Sequence, residues 1–189
     1  MVARRLILAA AACLALISPA AAQSPQIRDP ENTLILDLSS GGPVVIAMRP
    51  DIAPAHVTQI KTLVRQGFYN GVVFHRVIEG FMAQTGDPTG TGTGRSPLPN
   101  IRAEFSREPH TRGAVSMARS SDPNSANSQF FIMFASNPGL DGQYSVWGRV
   151  ISGMEFVDRI ARGNPAQNGV VALDRRDRIV SARVAADAR

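Results

Sequence analysis

Cysteine is nearly missing from this chain: of 189 residues only Cys13 carries a thiol. A lone thiol closes no intrachain disulfide, and no cysteine pair exists to hold zinc or an iron–sulfur cluster. Histidine is almost as sparse. His56, His75 and His110 are scattered, with no carboxylate or cysteine spaced to complete a metal site, so no metal is expected. No Ser-His-Asp order or nucleophile elbow is present either, which removes the usual covalent hydrolytic chemistry. Lysine occurs once, at Lys61, and the other basic residues are arginines. The 20 Lys plus Arg against 15 Asp plus Glu give a net +5. A nucleic-acid face would interleave basic residues with stacking aromatics. The densest basic cluster, Arg175, Arg176 and Arg178, contains none, so it reads as a solvated face and no nucleic-acid partner is expected. Spanning a bilayer takes about 20 apolar residues, and the longest apolar run, Leu6 to Ile17, is shorter.

That run sits between M-V-A-R-R and Ser18-Pro19-Ala20-Ala21-Ala22. A positive start, a short apolar centre and an A-x-A ending describe a secretory signal peptide, cut after Ala22. The alternatives are a retained anchor, and twin-arginine export through Arg4-Arg5. Cys13 would be a lipoprotein cysteine only with a Leu three positions before it, where Ala10 stands. Removing 22 residues from 189 leaves 167, the size of one domain with a sizeable core. Without Arg4 and Arg5 the 20 basic residues become 18 against 15 acidic ones, a net of +3. The expected organisation is a signal peptide over 1–22, a proline-containing leader over 23–31 and one domain over 32–189, in the periplasm or secreted, with no membrane contact after cleavage.

Thr33–Leu38 and Val44–Met48 alternate apolar and polar residues around Ser39-Ser40-Gly41-Gly42, which predicts a hairpin. Pro54 suits a first helical position, Val57, Ile60 and Val64 recur at helical spacing, and Gly67 is placed to end that helix. Two further runs, Val73–Ile78 and Phe81–Thr85, flank a Glu79-Gly80 turn. Strand periodicity puts Phe74, Arg76 and Ile78 on one face of their strand and Met82 with Gln84 on one face of theirs, so an Arg, an amide and large apolar groups are expected close together on one half-buried surface. His75 is expected to be a structural hydrogen-bonding residue. Asp87–Asn100 is a Gly-, Thr- and Pro-rich loop. Its Gly90, Gly92 and Gly94 are followed by no Lys-Ser or Lys-Thr pair, so a phosphate loop is not expected. Phe130 and Phe131 are candidates for the core, and strands are expected over Val146–Ile151 with Trp147 in the core and over Arg178–Val184. A second helix is expected over Met154–Arg162 with Phe156, Val157 and Ile160 inward. Seven or eight strands with two helices suit a mainly β fold, a closed barrel capped at its ends.

The string F-H-R-V-I-E-G-F-M-A-Q-T-G-D, Phe74 to Asp87, resembles the signature of the cyclophilin-type peptidyl-prolyl cis-trans isomerases. Asn124–Ile132 is similar to a second signature of that family, and the Gly67-Phe68-Tyr69 lead-in to its bacterial members. The resemblance covers roughly Leu34 to Val184. It implies a closed eight-stranded antiparallel β-barrel capped by two α-helices. It also implies catalysis of rotation about X-Pro bonds in folding protein chains, by a monomer with no cofactor. It assigns catalysis to Arg76, Gln84 and Phe131, and substrate binding to Phe81, Met82, Ala118, Arg119, Gln129, Leu140 and Tyr144. The chain departs from the family pattern in four places. Arg119 replaces an Asn and adds charge at the groove rim, and Arg95–Pro99 replaces further glycines and an aromatic. Trp147 replaces a Phe. Gly139 stands where the family has Trp or Phe, which implies a weak response to the cyclic peptide cyclosporin.

One Arg, one amide and an apolar pocket suit a reaction without covalent or acid–base steps. Amide resonance sets the rotation barrier at roughly 18–20 kcal/mol, and an uncatalysed X-Pro bond turns in tens to hundreds of seconds. A catalyst must favour the twisted amide over both planar forms. There the proline nitrogen regains its lone pair, and an arginine can donate to it or to the adjacent carbonyl. Two rival classes are a proline-directed binding module or holdase, which keeps the pocket without turnover, and a nucleic-acid-binding barrel, which a polyanion column would retain in a salt-sensitive way.

Overall fold

The computed structural model describes residues 27–187. The expected signal peptide and its expected cleavage point lie outside the described residues. Strands β1 (Thr33–Leu38) and β2 (Gly42–Met48) form the expected hairpin, paired from Thr33 opposite Ala47 to Leu38 opposite Gly42. Helix α1 (Pro54–Arg65) follows, with Pro54 in its first turn, and buries His56, Val57, Ile60, Leu63 and Val64 along one face. Gly67 takes φ +69 just beyond it, a left-handed conformation that a Cβ would strain.

The remaining strands are β3 (Arg76–Ile78), β4 (Met82–Thr85), β5 (Ala114–Met117), β6 (Phe130–Met133), β7 (Val146–Ser152) and β8 (Ile179–Val184). All eight form one antiparallel sheet in the order β3-β4-β6-β5-β7-β2-β1-β8. The sheet curls until its ends meet, but the end strands share no continuous ladder. The residues just ahead of β3 make the join: Phe74 N–H donates to the Asp177 carbonyl (2.8 Å) and Ile179 N–H to the Val72 carbonyl (2.9 Å). "Closed" therefore overstates the barrel, whose seam is a short bridge. The interior is packed by Leu36, Ile46, Met117, Phe130, Ile132 and Trp147, all essentially buried.

Three local expectations are corrected. The chain leaves the ladder at Phe74 and His75, so Phe74 turns into the barrel core and shares no face with Arg76. Helix α2 is Met154–Asp158, not Met154–Arg162. Tertiary acceptors take the N–H groups beyond it, Ala161 donating to the Asp177 carboxylate (2.8 Å) and Gly163 to the Val77 carbonyl (2.9 Å). Val157 and Ile160 still point inward, whereas Phe156 is half-buried. Lastly, His75 is buried, yet among the described residues neither ring nitrogen has a hydrogen-bond partner. Burial, with Arg176 and Arg76 nearby, holds its pKa below the usual imidazole value against the opposing pull of Asp87, so the ring packs as a neutral group.

Candidate active site

The site is a row of residues directly opposite one another across four strands. Arg76 on β3 faces Gln84 on β4, Gln84 faces Phe131 on β6, and Phe131 faces Ser116 on β5. Opposed residues share a face of the sheet, and neighbours along a strand take the other face. Val77, Ala83, Phe130 and Ile132 accordingly fill the barrel, while Arg76, Met82, Gln84 and Phe131 stand on its outside. This separates the adjacent phenylalanines: Phe130 is interior and Phe131 floors a groove.

The groove has a volume of about 480 Å3. Arg76, Phe81, Met82, Gln84, Ala118, Arg119, Phe131, Leu140 and Tyr144 all line it. The remaining expected residue, Gln129, lines an adjoining hollow of about 350 Å3 that shares Gln84, Ala118 and Arg119 with the first. Met82 and Phe131 form a small apolar cluster outside the barrel, with Phe81, Leu140 and Tyr144 packed against it. The Tyr144 ring meets Phe131 edge-on at 5.9 Å, and the Arg119 guanidinium lies 4.4 Å over Tyr144. Arg119 also donates to the Gln143 carbonyl (3.0 Å), which ties the rim charge to the wall.

Arg76 donates from Nη1 to Gln84 Oε1 (3.1 Å), from Nε to the Asn168 carbonyl (2.9 Å) and from Nη2 to Asn168 Oδ1 (2.9 Å). Burial lowers its pKa, with Tyr144 opposing, but an arginine stays protonated. Gln84 Nε2 donates to Gln129 Oε1 (2.9 Å), and Gln129 Nε2 to the carbonyls of Gly92 (3.1 Å) and Gly94 (2.8 Å). One amide proton of Gln84 has no acceptor among the described residues. Asp87 anchors the glycine loop beyond: its carboxylate accepts N–H groups from Thr89, Gly92 and Gly94.

Behind Phe131 the fold assembles the Ser-His-Asp contact that the order of the sequence does not offer. Ser116 Oγ lies 3.0 Å from His110 Nε2, and His110 Nδ1 lies 2.9 Å from Asp141 Oδ1. Ser116 and His110 are buried and the His110 ring stacks behind Phe131 at 6.3 Å. No substrate reaches this hydroxyl, so the chain supports the groove floor and is no nucleophile. Hydrogen bonds from the His110 backbone and ring hold the Asp141 carboxyl below the usual carboxylate range. Among the described residues no group of three or more His, Cys, Asp or Glu could hold a metal ion. Asn168, Val170, Thr91 and Arg176 also line the groove and were not among the expected residues. For Asn168 a signal existed, since Asn168-Gly169 is a turn dipeptide.

The family model described as cyclophilin type peptidyl-prolyl cis-trans isomerase/CLD matches residues 33–184. A Brucella suis protein named "Probable peptidyl-prolyl cis-trans isomerase" is 55% identical over 191 residues, 95% of each chain. Peptidyl-prolyl cis-trans isomerase B of Bacillus subtilis is 41% identical over 129 residues, covering 67% of this chain and 89% of its own. Among solved structures, cyclophilin AquaCyp293 from Hirschia baltica superposes with a TM-score of 0.74 at 32% identity, covering 85% of this chain and 76% of that one. A Cryptosporidium parvum cyclophilin type isomerase, crystallised in the presence of the dipeptide Ala-Pro, superposes with a TM-score of 0.73 at 28% identity, covering 80% and 98%.

Proposed function

We propose, for a chain that belongs to the cyclophilin-type peptidyl-prolyl cis-trans isomerase family, that Arg76 is the group that stabilises the twisted X-Pro amide. The protein is a peptidyl-prolyl cis-trans isomerase acting on proline-containing peptides. One observation carries the residue assignment. The Arg76 guanidinium stands on the groove wall, in one cross-strand row with the Phe131 floor, with three of its N–H groups held by Gln84 and Asn168. Two N–H groups are left, one on each terminal nitrogen, for the substrate.

In this reading the proline ring sits on Phe131 against Phe81, Met82 and Leu140, and Gln84 donates to a substrate backbone carbonyl so that one side of the bond is fixed. As the other side turns, the proline nitrogen becomes pyramidal and its lone pair meets the guanidinium. A donor already in place when that charge develops lowers the barrier with little reorganisation. No bond to the protein forms and no proton needs to move. The rotation transfers no electrons or groups, so it requires no cofactor. Arg76→Ala should cut kcat by about 10²–10³-fold, the typical loss for one transition-state donor, with a smaller change in KM. The fold should persist because the guanidinium is not packed core. A folded variant turning over near the normal rate refutes the role.

The charged start, apolar run and A-x-A ending support a further part of the reading: residues 1–22 are cleaved on export, and the mature monomer works on polypeptides in the periplasm or outside the cell, with no nucleic-acid partner. Mass spectrometry of the exported protein should find Gln23 at its N-terminus, and a cytosolic product that keeps Met1 overturns this.

A further inference from the structure

We infer that Asn168 is a positioning residue for Arg76, a clamp that fixes the plane of the guanidinium in the groove. The inference rests on the reading above, in which Arg76 meets the twisting amide.

β3 is an end strand, and its outer edge would present unpaired backbone groups. The segment 163–171 covers that edge. Val77 N–H donates to the Gly169 carbonyl (2.7 Å), Gly163 N–H to the Val77 carbonyl (2.9 Å), and Val171 N–H to the His75 carbonyl (3.0 Å). The approach is so close that a Cβ on Gly169 would collide with the Ile78 side chain, and one on Gly163 with the Gly169 carbonyl. The segment is thus fastened to the strand that carries Arg76, and it reverses in a tight turn. Asn164 Oδ1 accepts from Ala166 N–H (2.9 Å), and Gly169 N–H donates back to the Asn164 carbonyl (2.9 Å).

At the corner of this turn Asn168 adopts φ +52 and ψ +37. It is the one residue other than glycine with positive φ among the described residues. That conformation is unfavourable for a residue with a Cβ, although Asn tolerates it better than most. An outlier of this kind asks for a functional reason, and the contact supplies one. The Asn168 backbone carbonyl and Oδ1 both face Arg76 and accept from Nε and Nη2 at 2.9 Å each. Two acceptors side by side match the planar fork of a guanidinium and fix its orientation as well as its place. Gln84 Oε1 holds the remaining nitrogen, Nη1. Glycine at 168 would suit the turn at least as well, so the turn alone does not explain the side chain.

The test compares Asn168→Gly, Asn168→Asp, Arg76→Ala and the double variant Asn168→Gly/Arg76→Ala in an Ala-Pro peptide isomerase assay, with thermal unfolding of each. Asn168→Gly removes one fork acceptor and keeps the left-handed turn. It should lower kcat about tenfold, leave KM within about twofold and leave Tm unchanged or higher. Asn168→Asp keeps an acceptor and tolerates the turn, so it should stay within about threefold of the unmodified protein. On top of Arg76→Ala, Asn168→Gly should cost nothing further, because coupled residues are not additive. In guanidinium NMR spectra, rotation about the Arg76 Cζ–Nη2 bond should be faster in Asn168→Gly. Normal kcat in Asn168→Gly together with a crippled Arg76→Ala overturns the clamp and leaves the role of Arg76 standing. Equal losses in the Gly and Asp variants with a lowered Tm also overturn it, since they indicate a structural role alone. If Arg76→Ala itself turns over normally, the reading of Arg76 falls and the clamp falls with it.

Discussion

Asp87 should make this protein sensitive to acid in a way that a single substitution removes. Its carboxylate is fully buried and accepts four hydrogen bonds. Thr89 N–H (2.7 Å) and the Thr89 hydroxyl (2.8 Å) donate to Oδ1. Gly92 N–H (2.6 Å) and Gly94 N–H (3.1 Å) donate to Oδ2. Burial by itself would raise the pKa, but the bonds from Thr89, Gly94 and Gly92 outweigh it and bring the carboxyl to about 2, against an ordinary 3.8. Because the folded value is depressed, this group stabilises the fold fully above the unfolded pKa and ceases to do so as pH falls through the folded one. At about 1.4 kcal/mol per pKa unit, about 2 kcal/mol disappears between roughly pH 4 and pH 2. Asp87→Asn keeps one acceptor oxygen for the Gly92 and Gly94 N–H groups and turns its amide NH2 toward Thr89, whose hydroxyl can accept but whose N–H is left unmet. With one unmet buried donor costing about 1–3 kcal/mol, it should destabilise the protein by roughly that amount at neutral pH. Urea unfolding of both proteins from pH 7 downward is the assay. The other carboxylates titrate alike in both, so the unmodified protein should lose about 2 kcal/mol more than Asp87→Asn over the acid range. Parallel stability curves would refute the assignment. The loop also presents the Gly92 and Gly94 carbonyls to Gln129, and through Gln129 it braces Gln84. Asp87→Asn should therefore slow turnover even at pH 7, where it remains folded.

Two further outcomes are expected. Turnover should change less than about twofold between roughly pH 6 and 8, because Arg76 does not titrate there and burial keeps His75 neutral above its lowered pKa; a bell-shaped profile would implicate His75 or Tyr144 in proton transfer. Gly139→Trp should raise cyclosporin sensitivity about tenfold or more with unchanged isomerase activity, since Gly139 is exposed beside Leu140 and an added Cβ would meet only Asn137 Oδ1 at 3.2 Å; strong inhibition of the unmodified protein would show that another residue already supplies the contact.

What could be read in the sequence follows the range of the interactions. Two-residue alternation around Glu79-Gly80 foretold that Met82 and Gln84 share a face, and hairpin register then set Gln84 opposite Arg76. The β1–β2 hairpin and α1 were legible for the same reason: their apolar spacing and their turn and cap residues lie within a few positions of one another. The bend that sends Phe74 inward was not, because its backbone partner, Asp177, lies on the far side of the barrel seam. The early end of α2 depends on that same Asp177, whose side chain takes the Ala161 N–H. Local spacing cannot contain such competition.

Arg76 shows the division within one side chain. Its acceptor on Gln84 is eight residues away, inside the motif that carries the family resemblance. Its two acceptors on Asn168 are 92 residues away, in a stretch whose sequence announces only a turn. An arginine held by Gln84 alone could still swing about the Nη1 contact. Held also at Nε and Nη2, it keeps one plane, and a donor to a twisting amide depends on that plane as much as on charge. The groove's chemistry was therefore written in a short string, whereas the orientation of its central group is a property of the curled sheet and the segment that covers its edge.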